Sequence, residues 1–135
     1  MISDTYAAYA AGLFDGEGSI ALTRNRAYRW PSPQVSVASS DREVVEWLKQ
    51  RFGGAIAAKK PRRPTHSLSY DWKLTDRRAL AFLQVIRPYL VIRRKIARID
   101  LLLSDYLAST PRNGRYTPEM RKQKQALIEK FASLP

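Results

Sequence analysis

Two carboxylates stand two positions apart near the N-terminus, each followed by a glycine, in Asp15-Gly16-Glu17-Gly18. Carboxylates are preferred ligands of hard divalent cations, and Mg²⁺ is commonly held by one or two of them together with substrate phosphates. Glycine tolerates a tight backbone approach that other residues do not. The segment could therefore bind a metal ion that assists chemistry on a phosphate. The alternative is a helix cap and turn that carries two solvent-exposed acids.

The residues before these acids predict a helix that positions them. Ser3 or Asp4 can cap its start, because a short side-chain oxygen accepts first-turn N–H groups. Small residues follow at helical spacing and are expected to share one face: Ala7, Ala8, Ala11 and Gly12. Such a face buries little by itself but lets another backbone approach closely. The helix is expected to end with its two acids at a place where backbone segments pack closely together.

Residues 10–18, A-A-G-L-F-D-G-E-G, resemble the signature motif of the LAGLIDADG homing endonucleases. They depart from it at Ala10, Phe14 and Gly16, and at the catalytic acid position, which is Glu17. The motif lies near the N-terminus and opens into a predicted strand. It occurs once, as in the single-motif branch of the family.

Composition limits the other function classes. The chain has 135 residues, enough for one domain, 1–135, with a core of its own. It lacks cysteine, which excludes disulfides, thiolate catalysis and cysteine-based zinc sites. No apolar run approaches the ~20 residues that cross a bilayer. No basic-then-apolar signal is seen at the N-terminus. We expect an intracellular protein, in the bacterial cytoplasm, an organelle or the nucleus.

Charge is the strongest global signal. Lys and Arg number 24 against 12 Asp and Glu, giving a net charge of +12 and a pI near 10.4. Such a balance favours a polyanionic partner, since neutralised phosphates release condensed counterions. The basic residues are interleaved with strands and loops rather than gathered on one amphipathic helix. Nucleic acid is therefore favoured as the partner over an anionic membrane.

Periodicity predicts the element order α-β-β-α-β-β-α with further helices appended. The predicted segments are a first helix ending at 17, strands 19–23 and 34–39, a helix from the capping box Ser40/Glu43 to Phe52, strands 55–60 and 67–74, a helix from Thr75/Asp76 to before Pro88, a helix near 92–107, and a last helix starting at Thr117-Pro118. This order resembles the LAGLIDADG fold over nearly the whole chain. The resemblance implies an α+β fold with a saddle-shaped antiparallel sheet on DNA and helices on its back.

Strand alternation indicates which side chains could face DNA. If the apolar positions are core, the opposite face carries mostly short polar residues: Ala21, Thr23, Asn25, Gln34, Ser36, Ser69, Asp71 and Lys73. Such side chains suit recognition of base edges. The register of the third strand is left open. Basic and aromatic loop residues are expected to contact phosphates, with solvated loop tips as the alternative: Arg24, Arg26, Tyr28, Arg29, Lys59, Lys60, Arg62 and Arg63.

The family resemblance also implies roles at the active site. Glu17 and the backbone carbonyl of Gly16 match the positions that bind the divalent ions. Arg93, or alternatively Lys95, matches a basic residue near the scissile phosphate. Ser39 or Ser40 occupies the position of a polar residue that orders water.

The resemblance thus implies a homodimeric, site-specific endonuclease that hydrolyses duplex DNA at a long pseudo-palindromic site, with one motif per chain. Mg²⁺ is the expected cofactor, with Mn²⁺ substituting and Ca²⁺ binding without cleavage. The dimer interface is expected at the small-residue face with Asp15 as a structural acid. The alternative is a non-cleaving nucleic-acid binder on the same fold, an intron RNA maturase or a transcription regulator.

Overall fold

Four antiparallel strands form one sheet in the order β1-β2-β4-β3. The computed structural model describes residues 2–24, 29–59 and 68–135. The strands are β1 (Gly18–Thr23), β2 (Ser32–Ser39), β3 (Ala55–Lys59) and β4 (Ser69–Thr75). The helices are α1 (Asp4–Glu17), α2 (Arg42–Phe52), α3 (Asp76–Ile86), α4 (Arg93–Asp105) and α5 (Pro118–Ser133), with a 3-10 turn at Arg87–Tyr89. The predicted α+β order is confirmed.

The sheet has one apolar face, covered by helices, and one polar face. Alternate strand residues are buried in a shared core: Ile20, Val35, Val37, Trp72 and Leu74. Helices α1, α2 and α3 pack against this side of the sheet. Successive strand side chains point to opposite faces, so the remaining residues form what we call the outer face. Several of them are exposed: Ser19, Ala38, Ala55, Ala57, Lys59 and Lys73.

Aromatic rings form the centre of the core around Trp72, which is fully buried. Phe82 meets Trp72 at a centroid distance of 5.0 Å, and Phe52 meets Phe82 at 4.8 Å, both edge to face. The indole N–H of Trp72 donates to the carbonyl of Gly53 at 2.7 Å, so its polar atom is also satisfied. Truncating such a buried ring typically costs about 3–5 kcal/mol. The ring thereby joins α2, α3 and β4.

The turn from α2 into β3 requires glycine. Gly53 and Gly54 both adopt positive φ, 79° and 96°. A Cβ on Gly54 would lie 2.4 Å from the carbonyl oxygen of Lys73, which is closer than van der Waals contact permits. Gly53 ends the helix, and its N–H donates to the carbonyl of Lys49 at 2.9 Å.

The side-chain caps predicted at Ser3 and Thr117 are confirmed, and the one predicted at Ser40 is not. Ser3 accepts the N–H of Tyr6 at 3.2 Å, and Thr117 accepts that of Met120 at 3.1 Å, as predicted. The capping box at Ser40 is wrong, because the N-cap of α2 is Asp41 and its side chain forms no capping bond. Glu43 is thus one position too early to complete a box.

Pairing between β3 and β4 settles the register that the sequence left open. Ile56 and Ala58 stand opposite Trp72 and Tyr70, so Lys59 lies on the outer face. The predicted start of the fourth strand was too early, since β4 begins at Ser69 and Leu68 is 41% exposed rather than core. None of the helices in the three described ranges is long and apolar enough to cross a bilayer.

Candidate active site and nucleic-acid interface

Two side chains fasten the end of α1 to the start of α4. The Asp15 carboxylate accepts the N–H groups of Val91 at 2.9 Å and Ile92 at 3.1 Å. The Lys95 ammonium donates to the carbonyls of Phe14 at 2.7 Å and Asp15 at 2.8 Å. An anion therefore accepts from amides at a helix N-terminus, and a cation donates to carbonyls at a helix C-terminus, where each charge also complements the helix dipole. We call this pair of contacts the Asp15–Lys95 clamp.

Lys95 is half-buried within the clamp. Burial lowers the pKa of its ammonium, with repulsion from Arg94 acting in the same direction and Asp15 and Glu17 opposing it. Its Nζ also lies 5.6 Å from the centroid of the Phe14 ring. Lys95 is thus fixed by the fold, whereas Arg93 and Arg94 are exposed at the first turn of α4.

Glu17 and Gly16 are exposed at the last turn of α1. The next residue, Gly18, donates its N–H to the Phe14 carbonyl, and a Cβ there would lie 2.3 Å from the Phe14 ring. Glycine therefore allows the chain to leave the helix at this point and enter β1 directly. Glu17 is therefore an exposed residue at the point where α1 passes into β1.

A small basic pocket lies at the residues that directly follow Glu17 in the chain. Its volume is about 150 Å³, and it is lined by the start of β1 together with Arg94, Lys95 and Arg98 of α4. Arg94 and Arg98 are site residues that were not identified from the sequence. Their i, i+4 spacing on one helix face was the available signal.

Ser39 is the last residue of β2 and Ser40 follows it, at the same end of the sheet as the start of β1. Val37 pairs with Gly18, which places the two chain segments together. However, the Ser39 hydroxyl accepts the N–H of Asp41 at 3.0 Å, so it supports the start of α2. Ser40 is exposed. Water positioning by either residue stays a prediction.

The donor set at Glu17 suits a hard divalent cation but is incomplete in one chain. It offers one exposed carboxylate and one helix-end carbonyl, both oxygen ligands of the kind that Mg²⁺ prefers. Within residues 2–24, 29–59 and 68–135, no group of three or more His, Cys, Asp or Glu side chains could hold a metal. A cation here would need further oxygens from a substrate or a second chain.

The outer face brings most of the predicted DNA-contacting strand residues together. Cross-strand pairing puts Ser36 between Ser19 and Lys73. A neighbouring row places Gln34 between Ala21 and Thr75. Such rows give a continuous surface of short polar side chains. Thr23 continues this surface at one end and Ser69 at the other, while Arg24 is exposed just after β1.

Asp71 departs from the expected open position. It is only 6% exposed, because its carboxylate pairs with Lys59 at 2.8 Å across β3 and β4. The two residues therefore present one ion pair rather than independent contacts. The predicted contacts Asn25, Arg26, Tyr28, Lys60, Arg62 and Arg63 lie outside the described residues.

A family model described as a LAGLIDADG-like domain matches residues 4–87. The chain belongs to the LAGLIDADG family. The match begins at the first residue of α1 and ends just after α3, so the LAGLIDADG motif at residues 10–18 forms the second half of α1 and its exit. No curated protein matches the chain.

Solved structures show the same fold. The homing endonuclease I-CvuI, in complex with its target in the presence of Ca, is 17% identical, with a TM-score of 0.73 over 98% of this chain and 83% of that one. The archaeal intron-encoded homing endonuclease I-Vdi141I, complexed with DNA, is 17% identical, with a TM-score of 0.52 over 96% and 98%. I-SmaMI, bound to uncleaved DNA with calcium ions, is 21% identical, with a TM-score of 0.64 over 100% of this chain and 46% of that one.

The four small residues of the LAGLIDADG helix were expected to share one exposed face, but the structure buries two of them and exposes the other two. Ala7 and Ala11 are 4% and 0% exposed, since they pack with Ala10 and Phe14 inside this chain. Ala8 and Gly12 are exposed, and a Cβ on Gly12 would meet no atom within 4 Å. The four residues therefore do not share one free face. The open stripe is Ala8, Gly12 and Gly16, at i, i+4 spacing.

Proposed function

We propose that this LAGLIDADG chain is a site-specific endonuclease that hydrolyses duplex DNA as a homodimer with a divalent cation. The observation that carries the proposal is the exposed Glu17 carboxylate, held at the edge of a polar sheet face by the Asp15–Lys95 clamp. A pure binder gains nothing from an acid there, because a carboxylate repels phosphates. I-CvuI and I-Vdi141I, which share the fold, were each solved with DNA.

DNA is the partner that suits the outer face. Short neutral side chains such as Gln34 and Ser36 can exchange hydrogen bonds with base edges in a major groove. Exposed cations such as Arg24 and Lys73 at the face and its rim would contact phosphates, in keeping with a net charge of +12.

A homodimer follows from the incomplete site. One chain brings one exposed acid, Glu17, to the motif site. Cleavage of two strands needs two such centres, which a two-fold axis supplies by repetition. The Ala8–Gly12–Gly16 stripe of α1 lets two helix backbones approach closely and would bring the two Glu17 carboxylates near each other. Asp15 would act at this interface indirectly, by holding the end of α1.

Each active-site residue then has a defined task. Glu17 and the Gly16 carbonyl would hold Mg²⁺ or Mn²⁺, which when bound polarises the phosphate and lowers the pKa of water. Lys95 keeps the carbonyl end of α1 in place, so that Glu17 is presented without reorganisation. Arg93 and Arg94 lie on the adjacent helix turn, where a guanidinium can offset charge that develops on the phosphate.

The test is cleavage of a randomised duplex library by wild type and Glu17→Gln, with Mg²⁺ or with Ca²⁺. We expect cleavage with Mg²⁺ but only binding with Ca²⁺, and a loss of at least roughly 100-fold in Glu17→Gln, since each ~1.4 kcal/mol is tenfold. DNA binding should survive in that variant. Glu43→Gln, an exposed acid on α2, is the matched control and should cleave like wild type.

Full cleavage by Glu17→Gln would refute the assignment of the catalytic acid. Salt-sensitive DNA binding without cleavage by the wild-type chain, under any divalent cation, would instead leave the non-cleaving binder as the function.

A further inference from the structure

A second pocket lies at the far end of the sheet from Glu17. It has a volume of about 830 Å³ and is formed by the start of β2, the start of α3 and the segment 106–121. Ser32 in its wall pairs with Thr23, the last residue of β1, so the length of β1 separates it from the motif, about 17 Å at ~3.3 Å per residue. We call it the distal pocket. Its volume is typical of small-molecule sites, which span roughly 300–1,000 Å³.

The distal pocket carries an excess of positive charge. Arg29, Arg115 and Arg121 line it against one carboxylate, Asp76. In the part of the chain that the structure describes, none of these guanidinium groups pairs with a carboxylate. The guanidinium fork matches phosphate oxygens in a bidentate manner. The charge and donor geometry therefore fit a phosphate group.

Aromatic rings stand beside these cations. Trp30 and Tyr116 both line the pocket, with ring centroids 5.6 Å apart and planes at 42°. Behind the wall, the Lys124 ammonium lies 3.8 Å from the Tyr106 ring centroid and 5.6 Å from that of Tyr116. Nucleic-acid bases stack on such rings with about 1–3 kcal/mol per base. A ligand with both a phosphate and a flat aromatic ring would use the two halves of the pocket at once.

Asp76 adds a hydrogen-bond acceptor to the lining of the distal pocket. It is the one residue other than glycine with positive φ, 57°, among the described residues, a conformation that Asp tolerates better than most. Its carboxylate would repel a phosphate and accept hydrogen bonds from ring N–H and amino groups. This places the phosphate on the arginine side and the edge of a base on the Asp76 side.

We propose that the distal pocket binds a nucleoside 5′-phosphate, with the phosphate on Arg115 and Arg121 and the base against Trp30 and Tyr116. The ligand has two sources of identical chemistry: a free mononucleotide, or the terminal nucleotide of a DNA strand with a single-stranded 5′-phosphorylated end. Neither requires Glu17, so the proposal stands or falls separately from DNA cleavage.

The first experiment locates binding on the full chain without divalent metal. Guanosine 5′-monophosphate, whose base offers N–H donors to Asp76, is titrated while the indole N–H resonances of the tryptophans are followed. The Trp30 signal should shift, and the Trp72 signal should not, because that indole is buried and bonded to Gly53. Ribose 5-phosphate, which lacks the base, should bind at least fivefold more weakly by calorimetry.

The second experiment removes one group at a time. Arg115→Ala should weaken mononucleotide binding by roughly tenfold or more, the usual effect of losing a hydrogen bond to a charged group. Trp30→Leu should weaken it by roughly fivefold or more through lost stacking. Arg112→Ala removes an exposed cation from the same segment, outside the residues that line the pocket, and should stay within twofold of wild type.

A third comparison distinguishes the sources. If a duplex with 5′-phosphorylated single-stranded ends binds more tightly than a blunt duplex, and Arg115→Ala removes the difference, the strand end is the ligand. If only the free mononucleotide binds through these residues, a soluble nucleotide is the ligand. The proposal is overturned if neither ligand shifts Trp30, if ribose 5-phosphate binds as tightly as the mononucleotide, or if Arg112→Ala weakens binding as much as Arg115→Ala.

Discussion

The buried amine of Lys124 should destabilise the protein at neutral pH. Replacing Lys124 by Met should therefore raise the free energy of unfolding at pH 7 but not at pH 9.5. The side chain is 1% exposed where α5 meets the segment 106–116. Its ammonium donates to the Thr110 hydroxyl, and no carboxylate among the described residues pairs with it. Burial lowers its pKa from 10.5 to about 8, because the charged form loses its hydration.

The size of the effect follows from the two pKa values. Below pH 8 the amine is charged in both states, and the full cost of burying it, about 3 kcal/mol, is present. Between pH 8 and 10.5 the unfolded chain binds more protons than the folded one, so the free energy of unfolding rises with pH. About 2 kcal/mol should be recovered between pH 7 and pH 9.5.

Two opposing contributions set the net result for Lys124→Met. The variant loses the cation–π contact with Tyr106 and the hydrogen bond to Thr110, each worth about 1 kcal/mol. We therefore expect it to be about 1 kcal/mol more stable than wild type at pH 7, and about 1 kcal/mol less stable at pH 9.5. Burial raises the pKa values of Tyr106 and Tyr116, which lowers stability near pH 10, but it does so in both proteins.

Urea unfolding followed by far-UV circular dichroism at the two pH values measures the difference. Lys122→Met, at an exposed position of the same helix, is the control and should show no pH-dependent difference from wild type. If the stability difference between Lys124→Met and wild type is the same at both pH values, within about 0.5 kcal/mol, the buried-amine interpretation is wrong.

Three further predictions concern the proposed nuclease. Ala8→Leu should push the two α1 helices apart and give monomers by light scattering at micromolar concentration, whereas Ala97→Leu, exposed on α4, should stay dimeric; a dimeric Ala8→Leu would place the interface elsewhere. DNA affinity should fall with salt at a log–log slope steeper than about −3, since each phosphate contact contributes about −0.9, and a flat dependence would contradict binding through phosphates. Asp15→Asn should lower the unfolding temperature by weakening the caps on Val91 and Ile92; any loss of cleavage should track loss of folded dimer, and a loss at matched dimer concentration would give Asp15 a direct catalytic role.

Much of the fold could be predicted from local sequence patterns. Strand alternation is a property of neighbouring residues, so the sequence alone assigns Val35 and Val37 to the core and Gln34 and Ser36 to the outer face. The caps at Ser3 and Thr117 likewise depend on side chains within three residues of the amides they satisfy. The motif placed Glu17 at a helix end for the same reason.

Contacts between distant segments were decided only by tertiary structure. Asp15 caps amides 76 and 77 positions away, and nothing near it in the sequence indicates that partner. Periodicity put Ala7 on the face of Ala8 and Gly12, because their angular positions on a helix are close. Which part of that arc is buried depends on how α1 sits against the rest of the core.

The same distinction explains the outer face and the distal pocket. Alternation put Asp71 on the outer face, but its burial arises from Lys59 on a neighbouring strand whose register only cross-strand pairing fixed. Arg29, Asp76 and Arg115 belong to three separate segments that meet in one wall. The sequence by itself determined the elements, their faces and the position of the acid, because those depend on local geometry. Packing between elements determined which charges became partners and which remained open to a ligand.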